Sequence, residues 1–190
     1  MKEAVTEFKI NKLISGRWSP RAFSEKSISD EDLMKMFEAA RWAPSAMNEQ
    51  PWEFIAVKKE NKENFIKLLE TLNEGNHEWA KDAAVLMIVT ANKKFAKHGW
   101  DNKTAGYSTG HAVANLTTQA MEQNIYIHQM GGFSQEEVRK RFDISDEKEI
   151  IVVMALGYLG DPNILSDKLK ERELAERKRK SIEEFVRILK

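Results

Sequence analysis

The sequence predicts an α+β fold, a sheet of four or five strands flanked by helices. Three observations carry this. Helical and strand-like segments alternate irregularly along the 190 residues. The strand-like segments are few. One of them, residues 85–89 (Val-Leu-Met-Ile-Val), is a continuous apolar run of strand length, which reads as buried on both faces.

In chain order, the first boundary is Ser29, an N-cap with an acid three residues on at Asp32. Leu33, Met34, Met36, Phe37 and Ala40 then keep one apolar face together, and Pro44 ends the helix near Ala43. Residues 53–57 read as a short strand. Asn61 can cap a helix that carries Phe65, Ile66, Leu68, Leu69 and Leu72. Residues 92–107 show no period and read as a long connection, the kind that often carries function. A helix is expected from about Thr109 to Gln123, then a strand at 125–128 and a turn at 130–133. Ser134 opens a helix with a second capping box. Residues 149–158 are the most hydrophobic strand, closed by Gly157, Gly160 and Pro162. From Asp167, Lys, Glu and Arg dominate until Ser181, and then Ile182, Phe185, Val186, Ile188 and Leu189 return. That pattern predicts a single domain over 1–190 with a C-terminal arm at about 167–190 that docks.

Thirty basic and thirty acidic residues cancel, so net charge drives neither nucleic-acid nor membrane-surface binding. The absence of cysteine excludes disulfides, thiolate zinc sites, iron–sulfur clusters and cysteine nucleophiles, and fits a reducing compartment. The N-terminus has neither the apolar run nor the cleavage site of a secretory signal. The longest apolar stretches, 83–91 and 150–157, fall far below the roughly 18–20 residues of a membrane span. A cytoplasmic protein with no membrane partner is expected. Four histidines, at 77, 98, 111 and 128, have no metal-ligand spacing, so no metal site is expected. The sequence contains no G-x-S-x-G, no P-loop and no G-x-G-x-x-G.

Three clusters remain. Arg17-Trp18-Ser19-Pro20-Arg21 places two planar donor forks four residues apart, suited to a phosphate or a carbonyl edge, and equally readable as surface arginines at a helix end. Residues 43–52 (Ala-Pro-Ser-Ala-Met-Asn-Glu-Gln-Pro-Trp) form a stiff loop between two prolines that presents Ser45, Asn48 and Gln50. The plain alternative is a helix-to-strand connection with Trp52 in the core. Arg177-Lys178-Arg179-Lys180 reads as a phosphate contact or a solvated face. Its acidic neighbours screen any nucleic-acid patch.

Together these clusters resemble the nitroreductase family of FMN-dependent oxidoreductases. Arg17 to Arg21 stands where that family has R-R-S-x-R, with Trp18 in place of the second arginine. Residues 43–52 match A-P-S-x-x-N-x-Q-P-W at every fixed position. Gly157-Tyr158 ends a strand, and Arg177-Lys178-Arg179 precedes Ile182-Glu183-Glu184. The resemblance implies a central mixed sheet of four or five strands and a domain-swapped homodimer with two FMN sites between subunits.

By carry-over, Arg17 and Arg179 hold the phosphate with Arg177 close by, and Trp18 contributes through its backbone. Ser19 bonds the phosphate or ribityl chain. Arg21 faces the pyrimidine edge of the flavin, where a cation favours the reduced form. Pro44, Ser45, Met47 and Asn48 come from the other subunit. Gln129, Met130, Gly131 and Gly132 line the ring, with a backbone N–H near Gly131 addressing N5. No side chain is expected to be catalytic, because the flavin carries the chemistry. The implied activity passes a hydride from NADH or NADPH through FMN to a nitroaromatic, a quinone or another small electrophile in a ping-pong cycle. Alternatives are a specialised flavoenzyme such as a dehalogenase or dehydrogenase, or a non-catalytic FMN-binding sensor. Trp100 and Tyr107, in the connection where such enzymes vary, are candidates to flank the acceptor.

Overall fold

The computed structural model describes residues 2–189. Strands β1 (Trp52–Lys58), β2 (Val85–Asn92), β3 (Tyr126–Met130) and β4 (Lys148–Gly157) form one sheet in the order β1-β2-β4-β3. Every bonded pair is antiparallel, which corrects the mixed sheet expected above. The reason lies in the connection after β2. It delivers β3 two positions away, and β4 returns into the gap, antiparallel to both neighbours. A bulge between Val89 and Thr90 shifts the β2–β4 register.

The chain also forms α1 (Lys12–Gly16), α2 (Asp30–Arg41), α3 (Lys62–Leu69), α4 (Glu74–Ala80), α5 (Ala105–Glu122), α6 (Gln135–Arg141) and α7 (Asp167–Leu174). β2 explains the layering. Its period of two sends Leu86 and Ile88 to one face and Val85, Met87 and Val89 to the other, all fully buried. The first face packs Phe65 and Leu68 of α3, Trp79 of α4, Val138 of α6 and Leu169 of α7. The second packs Leu33, Met36 and Ala40 of α2 against Ala112, Leu116 and Ala120 of α5. Each large aliphatic side chain so buried contributes on the order of 1.5–3 kcal/mol.

Local chemistry sets the ends. The Ser29 hydroxyl accepts from the Asp32 N–H at 3.1 Å, and Asn61 caps α3. Ser134 accepts from the Glu137 N–H, but the Glu137 carboxylate turns to Arg141 at 2.9 Å, so the expected second capping box is only half made. α5 begins at Ala105, four residues before the expected Thr109. The Asn102 side chain accepts from the Thr104 N–H and hydroxyl and so starts the helix early.

The 93–104 connection is ordered by its own bonds. Lys94 bridges Asp101, the Phe95 N–H donates to the Trp100 carbonyl at 2.8 Å, and Gly99 turns the chain at φ 68°. The Ala96 N–H donates to the Glu49 carboxylate at 2.8 Å, which ties this connection to the proline-bracketed loop.

Candidate functional site

Residues 17–24 run past the end of the sheet where β3 starts and β4 stops. Phe23 bridges Leu159, the Ser24 N–H donates to the Tyr158 carbonyl at 2.9 Å, and the Gly160 N–H donates to the Ala22 carbonyl at 2.9 Å. Two further groups fix this segment. His128 on β3 meets the Pro20 carbonyl through Nδ1 at 2.9 Å. A carbonyl only accepts, so Nδ1 carries the proton. Glu173 on α7, buried, accepts from the backbone N–H groups of Arg21 and Ala22.

The result is a cavity of about 230 Å³ lined by Lys2, Arg17, Trp18, Ser19, Arg172, Ala175, Glu176, Arg177 and Arg179. Five basic side chains face one carboxylate, a donor set made for an anion. The Arg17 guanidinium is pushed below its ordinary pKa, first by burial and then by the charges of Arg177 and Arg179. Its Nη1 lies 3.4 Å from the Ser19 hydroxyl. The Trp18 indole N–H is buried without a hydrogen-bond partner among the described residues.

Five of the sequence-predicted residues therefore meet here: Arg17, Trp18, Ser19, Arg177 and Arg179. Arg177 is partly spent, because its Nη1 donates to the Lys2 carbonyl at 2.9 Å and the Ser15 carbonyl at 2.6 Å. Arg21 lies beside the cluster, with its guanidinium 3.9 Å from the Glu173 carboxylate. Burial lowers its pKa while Glu173 opposes that shift.

The proline-bracketed loop lies elsewhere. Trp52, just beyond it, pairs with Ala91 near the end of β2, whereas the Arg17–Arg21 segment abuts the strand ends where Val85 pairs with Leu156. Six residues of strand separate these levels, about 20 Å, and three strand spacings, about 14 Å, separate β1 from β3. One chain thus keeps Pro44, Ser45, Met47 and Asn48 away from the arginine cluster. The loop is itself strained. Met47, Asn48 and Gln50 all have φ between 52° and 55°, and the Ser45 hydroxyl accepts from the Gln50 N–H at 2.9 Å. Left-handed backbone costs on the order of 1 kcal/mol at Met47 and at Gln50 and less at Asn48, because asparagine adopts that region readily, and the surrounding bonds hold the shape.

At the end of β3, Gln129 and Gly131 are exposed, whereas the Met130 side chain is buried in the core, leaving only its backbone for a ligand. The Gly132 carbonyl accepts from the Asn73 N–H and from the Asn76 side chain, and a Cβ at 132 would collide with Asn73. Trp100 and Tyr107 are exposed. Trp100 stacks on His98 at 4.7 Å, and Tyr107 meets His111 at 4.3 Å.

Sequence reasoning missed Lys2, His128, Arg172 and Glu173. For Glu173 the signal was present: it lies four residues after Leu169, on the buried face of α7.

The sequence profile of the nitroreductase family matches residues 14–158. A protein of Archaeoglobus fulgidus, provisionally named an NADH dehydrogenase/NAD(P)H nitroreductase, is 33% identical over 154 residues, covering 79% of this chain and 85% of its own. A solved FMN-containing oxidoreductase superposes with a TM-score of 0.92 at 33% identity, over 98% of this chain and 94% of that one. An iodotyrosine deiodinase of Thermotoga neapolitana is 25% identical over 171 residues, covering 79% of this chain and 88% of its own. The chain belongs to the nitroreductase family.

Proposed function

We infer that the chain works as an FMN-dependent NAD(P)H oxidoreductase in the form of a homodimer with two sites. The observation that carries this is the basic cavity, whose donors come from segments as far apart as residues 2 and 179. Its residues suit FMN on two counts. Five cations against one carboxylate match a dianionic phosphate, and the buried Trp18 indole N–H has no partner among the described residues. FMN, when bound, supplies the hydride chemistry.

The chain's own groups bind and orient. Arg17, Ser19 and Arg179 hold the phosphate, with Arg177 anchoring the segment that carries Arg179. Arg21, restrained by Glu173, presents its charge to the pyrimidine edge. The exposed backbone at Gly131 addresses the ring. Pro44, Ser45, Met47 and Asn48 reach the site from the second subunit, because their own chain holds them at the far end of the sheet. Phe185, Val186, Ile188 and Leu189, all exposed on the single chain, dock on that second copy.

NADH or NADPH and the acceptor use the same opening in turn. The acceptor is a small conjugated electrophile such as a nitroaromatic or a quinone. A cytoplasmic location fits a chain without cysteine. Among the described residues no helix is long and apolar enough to cross a membrane.

The test is direct. The purified protein should be yellow and carry about one FMN per subunit, and it should oxidise NAD(P)H when such an acceptor is supplied. A colourless protein that takes up no added FMN overturns the reading. FMN binding without NAD(P)H oxidation by any acceptor makes it a sensor instead. The likeness to a deiodinase favours one second reading, reductive dehalogenation on the same scaffold, which a screen including halogenated phenols separates.

A further inference from the structure

Lys2 lies twelve residues ahead of the family match, which begins at residue 14, so no motif places it. The fold brings it to the arginines, where it lines the cavity with Arg17 and Arg179. Three contacts hold it there. Its Nζ donates to the Glu173 carbonyl at 2.6 Å and sits 4.8 Å over the centroid of the Trp18 ring, and its own carbonyl accepts from Arg177 at 2.9 Å. An ammonium has three donors. The backbone carbonyl takes one and the indole face attracts the charge without using another, so donor capacity remains for an anion.

Arg177, by contrast, spends Nη1 on two carbonyls. Burial lowers the Lys2 pKa, and although Glu173 counters this, Arg177 and Arg21 lower it further. An incoming dianion attracts each of these cations and so offsets the repulsion among them, and partial burial strengthens its pull on Lys2.

We propose that Lys2 binds the phosphate of the bound cofactor beside Arg17 and Arg179, making the N-terminal segment part of the site. This rests on the FMN reading above. The role is confined to the phosphate. It therefore separates FMN from riboflavin, which shares the ring and ribityl chain but lacks the phosphate.

The experiment titrates FMN and riboflavin by fluorescence quenching into apoprotein of the wild type, Lys2→Met and Lys2→Arg. Methionine keeps the apolar stem over Trp18 and removes the charge, while arginine keeps the charge. Lys2→Met should bind FMN about tenfold more weakly, the usual effect of losing one hydrogen bond to a charged group. Its riboflavin affinity should match the wild type, and Lys2→Arg should restore most of the FMN affinity. An unchanged ratio of FMN to riboflavin affinity in Lys2→Met overturns the proposal, whether both affinities hold or both fall together. Wild-type protein that binds no FMN overturns the cofactor reading itself, and Lys2's role with it.

Discussion

The carboxylate of Glu173, 2% exposed, accepts from the Arg21 backbone N–H through both oxygens, at 2.9 and 3.1 Å, and from the Ala22 N–H at 3.2 Å. A carboxylate in this position joins the C-terminal segment to the segment carrying Arg17 and Ser19. Glu173→Ala removes the acceptor that, among the described residues, alone serves these two amides, and it leaves the half-buried Arg21 guanidinium without its partner at 3.9 Å. Stranding buried donors and a partly buried charge costs about 2–4 kcal/mol. Urea unfolding should show that loss. A change below about 1 kcal/mol would mean that water replaces the carboxylate freely.

His128 makes stability depend on pH. Its ring lies 4.4 Å from Trp79, and burial pushes its pKa down to about 4, below the ordinary 6.5. The folded state then holds fewer protons than the unfolded state between pH 6.5 and 4. The associated stability is complete above pH 6.5 and is lost as pH falls toward 4. At 1.36 kcal/mol per unit, about 2 kcal/mol disappears between pH 6.5 and 5. Denaturant curves at pH 7, 6 and 5 should show this loss in the wild type and a smaller one in His128→Phe. Equal losses in the two proteins would assign the dependence to other groups.

Gly160 couples the fold to the site. A Cβ there would lie 2.5 Å from both the carbonyl carbon and the oxygen of Phe23, and 2.9 Å from the Ser24 nitrogen. These are backbone atoms that no rotamer change can move. Gly160→Ala should therefore displace the segment that ends in Phe23, at a cost of about 1–3 kcal/mol. Because Arg17 and Arg21 ride on that segment, FMN affinity should fall with stability. Crystals of the variant that show residues 17–24 unmoved would contradict this.

The parts of this architecture that were legible in the sequence are those set by local patterns. The apolar run of β2 gave a strand buried on both faces, and Ser29 and Asn61 marked helix starts through their own side chains. Arg17, Ser19 and Arg179 were grouped only through the resemblance to the family, since by residue type alone each reads equally well as a surface side chain, and folding brings them to one cavity. What escaped has a non-local cause. α4 carries Trp79 and Ala80 as its buried residues, too few to set up a period, and α1 is a single short turn. Lys2 and Glu173 are unremarkable letters in charged stretches. Their importance comes from contacts spanning more than 150 residues, 171 for Lys2 with Glu173 and 152 for Glu173 with Arg21. The sheet was expected as mixed because strand direction depends on where a crossover lands, and no residue in the α5 segment encodes that.

The separation of the two motif regions within one chain yields the sharpest test of shared sites. If Arg17 of one subunit and Asn48 of the other serve the same cofactor, Arg17→Ala and Asn48→Ala each damage both sites of a homodimer. A hybrid of the two variants behaves differently. One of its sites collects both substitutions, and the other receives an intact Arg17 and an intact Asn48. Refolding the two variants together, with a distinct tag on each chain so that the hybrid can be purified, should give about half the FMN content and NAD(P)H oxidation of the wild type. A hybrid no better than the average of its parents would mean that each chain builds its site alone. That outcome would require the proline-bracketed loop to reach about 20 Å along the strands of its own sheet, against the register that pairs Trp52 with Ala91.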